Sequence, residues 1–437
     1  MLRTSEKTVS SASGKLAVLM PGLGAVATTV IAGVDAIINK RTAPIGSYAL
    51  MGHLPDGDQL VPVGEAVPLA HLDNLVFGGW DIYEGTAFDA ARQAGVLDYQ
   101  DMERAKESLE KIRPMPAVFD REYIRNIDGP NVKTAASKWD LAHALVDDIK
   151  NFMATNGCDR AVGVWCASTE RYIEVGPVHR TIEAFEAGLK ESHPDIAPSM
   201  MYAYAFVKAG VPLANGAPNL ALDIPAIIDY AKKQNVPIAG KDFKTGQTLL
   251  KTIISPGLAT RLIGVRGWYS TNILGNSDGA VLDDPGSFKT KEVSKLSVIE
   301  TILEKDLYPD LYGNMTHRVR IDYYPPRGDN KEGWDNIDIF GWMGYPMQIK
   351  INFLCRDSIL AAPLVLDLAL FMDLSARAGL GGVQDWLSFY FKSPQRNGDV
   401  MPPHDLFKQR DNFQETLRTI AHQTGWKKTA GKVASAS

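Results

Sequence analysis

The segment KLAVLMPGLGAVATTVIAGVDAI, residues 15–37, constrains the fold of this chain more than any other. Its apolar residues 16–20 are typical of a buried parallel strand, and Gly22 and Gly24 form a turn before a helical pattern. Residues 16–34 carry no charge and are long enough to suggest a membrane helix, but Pro21 and the two glycines interrupt them. The segment therefore predicts a strand, a turn and a helix.

The alternation of strand and helix continues along the first half of the chain. Apolar runs that end in Gly, Ser, Thr or Asp recur in DNLVFGGWD, RAVGVWCAST and VPIAGKD, and helical patterns such as ASKWDLAHALVDDIKNFMATNG lie between them. Such alternation indicates βαβ units. We predict an α/β fold built on a Rossmann-like, doubly wound parallel sheet.

The pattern changes after residue 244. RLIGVRGWYSTNILGNSDG, HRVRIDYYPP and YPMQIKINFLCRD predict antiparallel strands, and residues 358–379 predict an apolar helix that returns to the first domain. The predicted organisation is a Rossmann-like domain at 1–244, an inserted α+β domain at 245–356, and a return to the first domain at 357–437. The tail WKKTAGKVASAS has too few apolar residues to pack and is predicted to be mobile.

Composition argues against several functions. A net charge of −5 without a long basic run argues against nucleic acid as the main partner. Three widely spaced cysteines and a polar N-terminal segment without an apolar core predict a reducing, cytoplasmic location. The histidines lack HExxH spacing and no GxSxG segment occurs, which disfavours a zinc enzyme and a serine hydrolase.

The turn at Gly22 and Gly24 lies where dinucleotide-binding folds place a pyrophosphate. Glycines let the backbone approach the phosphates, and the helix N-terminus supplies N–H donors and the positive end of a dipole. The third glycine of the usual fingerprint is absent, and such turns also serve as plain connectors. On this motif alone, a nucleotide site and a structural turn both remain open.

Polar side chains gather at the ends of several apolar runs, where α/β enzymes carry their sites. Taken singly, each also fits a turn, a helix cap or a solvated surface. Lys392 follows the aromatic stretch WLSFYF, and burial there would lower its pKa and prepare it for proton transfer. The cluster residues are Asp242, Lys244, Asn272, Asn276, Asp278, Asp329, Lys331, Asp357 and Lys392.

Lysines also crowd the start of a predicted helix in DDPGSFKTKEVSKLSVIETILEK. Lys291 and Lys295 are four residues apart, so they share a helix face on which their charges repel. Lysines near a helix start also oppose the helix dipole. A bound anion would convert this repulsion into binding energy, so lysines and acids together indicate an anion site.

Eight blocks, in sequence order, resemble those of the myo-inositol-1-phosphate synthases, and the similarity covers residues 16–392. They are FGGWDI, WCASTERY, NGAPN, IAGKDFKTGQT, LGNSDG, FKTKEVSK, RGDNK and CRDSILAAPLVLDL. The resemblance implies conversion of D-glucose 6-phosphate to 1L-myo-inositol 1-phosphate, in inositol and phospholipid biosynthesis, with a bound NAD that is regenerated in each turnover. It also implies a catalytic inserted domain that forms a homotetramer and no membrane partner. Whether a divalent metal or a monovalent cation assists stays open.

The resemblance extends to individual residues. The implied reaction oxidises C5, forms an enolate, closes the ring by aldol addition and reduces C5 again. Lys392 would transfer the proton at the C5 oxygen with Asp357 orienting it, and Lys291 would stabilise the C1 oxygen. Lys295 and Lys331 would hold phosphate and enolate oxygens, and these four lysines with Asn272 would bind substrate. The implied cofactor-binding residues are Gly22, Gly24, Ala25, Val26, Asp81, Ala167, Ser168, Thr169, Asp242, Asn276, Asp278 and Asp329.

Three departures from the family pattern suggest a divergent prokaryotic branch. The glycine turn is shorter than in many relatives, Lys241 replaces an aspartate, and Arg356 replaces a glutamate. The alternatives are an enzyme of the same fold that acts on another sugar phosphate, a simple NAD-dependent dehydrogenase, and a non-catalytic NAD-binding regulatory subunit. The full set of four matching lysines argues against the last.

Overall fold

The computed structural model describes residues 9–398 and 402–424. The tail 426–437, predicted to be mobile, lies outside these residues. The strands are β1 (Leu16–Pro21), β2 (His53–Asp56), β3 (Gln59–Pro62), β4 (Leu75–Asp81), β5 (Met115–Pro116), β6 (Arg160–Trp165), β7 (Leu213–Asn215), β8 (Pro237–Gly240), β9 (Gly264–Leu274), β10 (Thr316–Tyr323), β11 (Asn330–Phe340), β12 (Pro346–Arg356) and β13 (Gly382–Val383).

The α-helices between these strands differ widely in length. They are α1 (Ala25–Ile38), α2 (Tyr48–Met51), α3 (Val63–Ala66), α4 (Ala87–Ala94), α5 (Tyr99–Glu110), α6 (Lys138–Asn156), α7 (Ile182–Lys190), α8 (Pro198–Lys208), α9 (Pro225–Gln234), α10 (Gly246–Thr260), α11 (Ser277–Leu282), α12 (Pro285–Ile302), α13 (Pro309–Tyr312), α14 (Asp357–Arg377) and α15 (Leu406–Gln423). A 3₁₀ helix at Asp385–Tyr390 precedes Lys392.

The large sheet confirms the predicted doubly wound architecture. Its seven strands run in the order β13-β8-β7-β6-β1-β4-β5, and every pair is parallel. From β1 the chain adds β4 and β5 on one side, then crosses over to add β6 on the other. The crevice at the carboxyl ends of β1 and β6 is therefore the topological switch point, where open α/β sheets bind ligands.

Burial explains why the central strands are continuous apolar runs. All six residues of β1 are buried, because parallel strands carry helices on both faces. Helix α14 packs in the same core, where residues 365–375 are buried. Among the described residues, α14 is the one helix long and apolar enough to cross a membrane, and it is mostly buried within the protein.

A separate four-stranded sheet has the order β10-β9-β11-β12. Its β9–β11 and β11–β12 pairs are antiparallel, and both involve β11, a strand that the sequence patterns did not predict. The expectation for HRVRIDYYPP was wrong, because β10 runs parallel to β9. Helices α11, α12 and α13 lie between these two strands in the chain and form the crossover that a parallel pair requires. Strand β11 was missed, because its charged residues look like loop sequence.

One face of the four-stranded sheet forms its own core. Trp268, Ile337 and Ile339 pack there with Ile299 of α12. Because α12 contributes to this core, its position relative to the sheet is fixed by apolar burial. The same helix carries Lys291 and Lys295, which are both buried. Packing of the second sheet thus determines where these two lysines lie.

Candidate active site

A cavity of about 650 Å³ lies at the carboxyl edge of the large sheet. One wall is formed by the glycine turn, the end of β4 and the loop after β6. Another part of the lining contains lysines and carboxylates from α12, α14 and the loops after β8 and the 3₁₀ helix. The lining residues include Gly22, Gly24, Ala25, Val26, Asp81, Ala167, Ser168, Thr169, Asp242, Asn276, Asp278, Lys291, Asp357 and Lys392.

The glycine turn has the features of an anion cradle. Gly22 adopts φ +89°, and a Cβ there would lie 2.5 Å from the backbone of Ala167, so only glycine fits. Gly24 is the N-cap of α1 and faces open space. No side chain caps this helix N-terminus, and its first turn has no acidic residue. The free backbone donors therefore fit a dinucleotide pyrophosphate.

Asp81 ends β4, the strand beside β1, and faces the same cavity. Its Oδ1 accepts a hydrogen bond from the backbone N–H of Tyr83 at 3.3 Å. Burial raises the pKa of Asp81, although backbone hydrogen bonds oppose this shift. A carboxylate at this strand end is the group that binds ribose hydroxyls in related folds.

Asp242 joins two lysines in this second part of the cavity lining. Its Oδ1 accepts from Nζ of Lys291 at 2.9 Å and from Nζ of Lys392 at 3.4 Å. Its backbone adopts φ +65° and is tied to neighbouring segments: Asp242 N–H donates to Ala217 O at 3.1 Å, and Lys392 N–H donates to Asp242 O at 2.7 Å. Backbone bonds therefore bring Lys392 to the carboxylate.

The charge state of these three groups follows from burial and proximity. Burial would raise the pKa of Asp242, but Lys291 and Lys392 outweigh this and lower it to about 2. Burial would lower the pKa of Lys291, but Asp242 and Asp278 raise it overall. For Lys392 the effect of burial is larger than the opposing effect of Asp242, and the pKa of Lys392 falls to about 8. Lys291 is thus a fixed cation, whereas Lys392 can exchange its proton near neutral pH.

A second ion pair joins Lys331 and Asp357. Nζ of Lys331 lies 2.5 Å from Oδ2 of Asp357, the first residue of α14. Burial disfavours the charged form of both side chains. The charge of Asp357 nevertheless raises the pKa of Lys331, and the charge of Lys331 lowers the pKa of Asp357. The predicted role of Asp357 in orienting Lys392 stays a prediction: Asp357 is bonded to Lys331 and raises the pKa of Lys392 through its charge, while the carboxylate within hydrogen-bond distance of Lys392 is that of Asp242.

Lys295 is buried, and no carboxylate among the described residues forms an ion pair with it. Its Nζ has no hydrogen-bond partner among the described residues. Burial, followed by the charges of Lys331, Lys392 and Lys291, lowers the pKa of Lys295 well below its ordinary value. An anion bound beside Lys295 would raise its pKa again and favour its ammonium form.

Four predicted site residues do not line the cavity but lie buried: Asn272, Lys295, Lys331 and Asp329. Asp329 Oδ1 accepts from Asn276 Nδ2 at 3.3 Å and from Ser358 Oγ at 3.1 Å, and burial raises its pKa. Asn272 donates to Gln247. Whether these residues touch cofactor or substrate stays a prediction.

Sequence reasoning missed two polar residues of this network. Ser294 donates its hydroxyl to Asp242, and its position three residues after Lys291 was an available signal. Asp335 accepts from Gln247 Nε2 at 2.9 Å and thereby supports the amide that contacts Asn272. Asp335 gave no signal, because β11 was not predicted as a strand.

The doubly wound sheet, with a glycine turn at its switch point and a lysine–carboxylate cluster at the same cavity, defines an α/β enzyme of the dinucleotide-binding class. A family model described as myo-inositol-1-phosphate synthase matches residues 16–418. The chain belongs to the myo-inositol-1-phosphate synthase family. The resemblance found in the sequence is confirmed, and with it the fold class and the expectation of NAD.

Individual relatives agree with this assignment. Inositol-3-phosphate synthase 1 of Bacteroides thetaiotaomicron is 52% identical over 418 residues, which cover 95% of this chain and 97% of that protein. Inositol-3-phosphate synthase of Saccharomyces cerevisiae is 31% identical over 394 residues, which cover 83% of this chain and 74% of that protein. The crystal structure of inositol-3-phosphate synthase from Caenorhabditis elegans has a TM-score of 0.88 at 25% identity. The match covers 94% of this chain and 86% of that one.

Proposed function

We propose that this chain is an NAD-dependent isomerising cyclase that converts D-glucose 6-phosphate to 1L-myo-inositol 1-phosphate. The observation that carries the proposal is the buried lysine cluster at the cavity that the glycine turn also lines. Lys291 and Lys392 share one carboxylate, Lys331 pairs with another, and Lys295 has no counter-ion within the part of the chain that the structure describes. A sugar phosphate brings about two negative charges, as a phosphate monoester does near neutral pH, and this cluster can neutralise them.

The residues present fit NAD. Backbone N–H groups at Gly24, Ala25 and Val26 would hold its pyrophosphate, and Asp81 would accept hydrogen bonds from ribose hydroxyls. Gly22, whose own N–H donates to Trp80 O at 2.8 Å, would let the backbone approach the phosphates. The remaining parts of NAD would be surrounded by the loop at Ala167, Ser168 and Thr169 and by Asp242, Asn276, Asp278 and Asp329. When bound, NAD supplies a hydride acceptor, and then a hydride donor, for C5 of the sugar.

The proton at the C5 oxygen would pass to Lys392. In its neutral form this lysine accepts the hydroxyl proton as C5 becomes a ketone, and it returns the proton when C5 is reduced. Asp242, 3.4 Å away, stabilises the ammonium form between these steps. A pKa of about 8 suits a group that must first accept and later release a proton near neutral pH.

Carbon–carbon bond formation develops negative charge on oxygen, which fixed cations stabilise. The C5 ketone acidifies the protons at C6, and a phosphate oxygen of the substrate would take one of them. The resulting enolate attacks the C1 aldehyde, and Lys291, held charged by Asp242, would stabilise the new C1 oxyanion. Lys331 and Lys295 would hold enolate and phosphate oxygens, with Asn272 as a further substrate contact.

We further propose a homotetramer assembled through the four-stranded sheet, with the domain division 1–244, 245–356 and 357–437. Large apolar residues on this part of the chain support an interface. Trp342 is 90% exposed, Tyr345 67% and Leu354 61%, and β12 is an edge strand of eleven residues. Exposed apolar patches of this kind mark association sites. A cytoplasmic location without nucleic-acid or membrane partners completes the proposal.

The experiment is incubation of purified protein with glucose 6-phosphate, with and without NAD and with and without a chelator, followed by NMR analysis of the product. The proposal expects myo-inositol 1-phosphate without net NADH. Another cyclised or rearranged sugar would indicate a different substrate, and stoichiometric NADH would indicate a simple dehydrogenase. The absence of turnover on any hexose phosphate would favour a regulatory subunit. If activity in the presence of NAD is lost only when the chelator is added, the enzyme requires a metal ion.

A further inference from the structure

We infer that Ser294 positions the carboxylate of Asp242 and, through it, the two lysines that share this carboxylate. Ser294 does not line the cavity in the described structure. It would act as a positioning residue, not as a catalytic one. The inference rests on the proposed function, because it assigns Ser294 a part in the same reaction.

The two oxygens of Asp242 have separate partners. Oδ2 accepts from Oγ of Ser294 at 2.9 Å, while Oδ1 accepts from Lys291 and Lys392. Both Ser294 and Asp242 are buried, with exposed fractions of 3% and 1%. A carboxylate held at one oxygen can still rotate, whereas one held at both has a fixed plane. The hydroxyl therefore fixes the oxygen that faces the lysines.

Helix α12 presents the hydroxyl and an ammonium group together. Lys291, Ser294 and Lys295 occupy positions i, i+3 and i+4, so they lie on one helix face. Asp242 comes from the loop after β8, and two bonds from α12 reach its carboxylate. These bonds join a rigid helix to a loop.

The same bonds bear on Lys392. Its backbone N–H donates to Asp242 O at 2.7 Å, so Lys392 is placed by the backbone that the helix anchors. Asp242 also raises the proton affinity of Lys392 against the effect of burial. If the carboxylate turned away, Lys392 would hold its proton less tightly. The acidic limb of the pH–rate profile would then move to lower pH.

The test compares Ser294→Ala with Ser294→Thr and with Ser287→Ala. Ser287 is a matched control: it is buried on the same helix, and its hydroxyl has no hydrogen-bond partner among the described residues. For each NAD-loaded protein, the measurements are kcat and KM for glucose 6-phosphate and the pH profile of kcat/KM. NAD affinity by fluorescence titration and the thermal unfolding midpoint separate positioning from folding defects.

We expect Ser294→Ala to lower kcat roughly tenfold, as loss of a hydrogen bond to a charged group does. Its acidic limb should shift down by about half a pH unit, with NAD affinity close to that of Ser287→Ala. Its unfolding midpoint should be lower than that of Ser287→Ala but above the assay temperature, because Oδ2 of Asp242 loses its hydroxyl donor. Ser294→Thr should recover most of the turnover. Equal kcat and equal pH profiles in Ser294→Ala and Ser287→Ala would overturn the inference. If wild-type protein forms no inositol phosphate, the proposed function fails separately.

Discussion

Lys291 and Lys392 donate to the same oxygen, Oδ1 of Asp242, at 2.9 and 3.4 Å, although they come from a helix and from a distant loop. The shared acceptor gives them different properties. Asp242 keeps Lys291 charged, whereas burial keeps Lys392 close to its titration point. In the proposed reaction, one carboxylate would thus support both an electrostatic stabiliser, Lys291, and a proton carrier, Lys392.

Replacing either lysine should abolish turnover while leaving the cofactor bound. Lys291→Ala and Lys392→Ala should each lower kcat about a thousandfold, the upper range for loss of an oxyanion stabiliser. NAD affinity, measured by fluorescence titration, should change little, because the proposed pyrophosphate contacts come from the turn between β1 and α1 and not from either lysine. Lys289→Ala is the matched control on α12, since Lys289 is exposed and packs over the Tyr172 ring at 4.3 Å. Wild-type activity in both site variants would remove this assignment.

The pH dependence of kcat/KM should report Lys392. Its pKa of about 8 means that the ammonium form, which cannot accept the C5 hydroxyl proton, dominates at lower pH. Activity should therefore rise about tenfold per pH unit below the pKa and level off above it. Lys244 is buried and also titrates low, with a pKa of about 7, but it lies outside the cavity and is bonded to Gln409. A limb that vanishes in Lys244→Gln, or a flat profile from about pH 6 to 9, would contradict the assignment.

The ion pair of Lys331 and Asp357 should contribute to stability as well as to the site. Asp357→Asn leaves a buried ammonium without its counter-charge, so the free energy of unfolding should fall by about 3 kcal/mol. Denaturant titration measures this change. Asp322→Asn removes one partner of the exposed pair with Arg320, and it should cost about 0.5 kcal/mol or less. Equal losses in the two variants would show that Lys331 does not depend on Asp357.

Substitution of Gly22 tests separately whether the glycine turn binds the pyrophosphate of NAD. In Gly22→Ala the new Cβ would lie 2.5 Å from the Ala167 backbone at φ +89°, so the turn must shift. NAD affinity should fall about a hundredfold, the loss expected when a few kcal/mol of backbone contacts to phosphate are misplaced. Gly33→Ala in α1 meets nothing within 4 Å and should leave NAD affinity unchanged. Equal affinity in Gly22→Ala and wild type would exclude this turn as the pyrophosphate site.

Local patterns predicted much of this architecture. The strand–turn–helix at β1 and α1, the lysine spacing on α12 and the burial of Lys392 after an aromatic stretch all follow from neighbouring residues. The contact of Asp242 with Lys392 does not, because it depends on backbone bonds between the loops after β8 and after the 3₁₀ helix. Strand β11 was missed for a related reason: its charged side chains are accommodated by pairing with β9 and β12.

In the proposed enzyme, four lysines and a nicotinamide meet around one sugar phosphate. The most direct measurement is a crystal structure of the NAD complex with a hexitol 6-phosphate, which cannot cyclise because it lacks the C1 aldehyde. We expect phosphate and sugar oxygens within hydrogen-bond distance of Nζ of Lys291, Lys295, Lys331 and Lys392, with C5 beside the nicotinamide. A ligand bound elsewhere, or one contacted by none of these nitrogens, would contradict it.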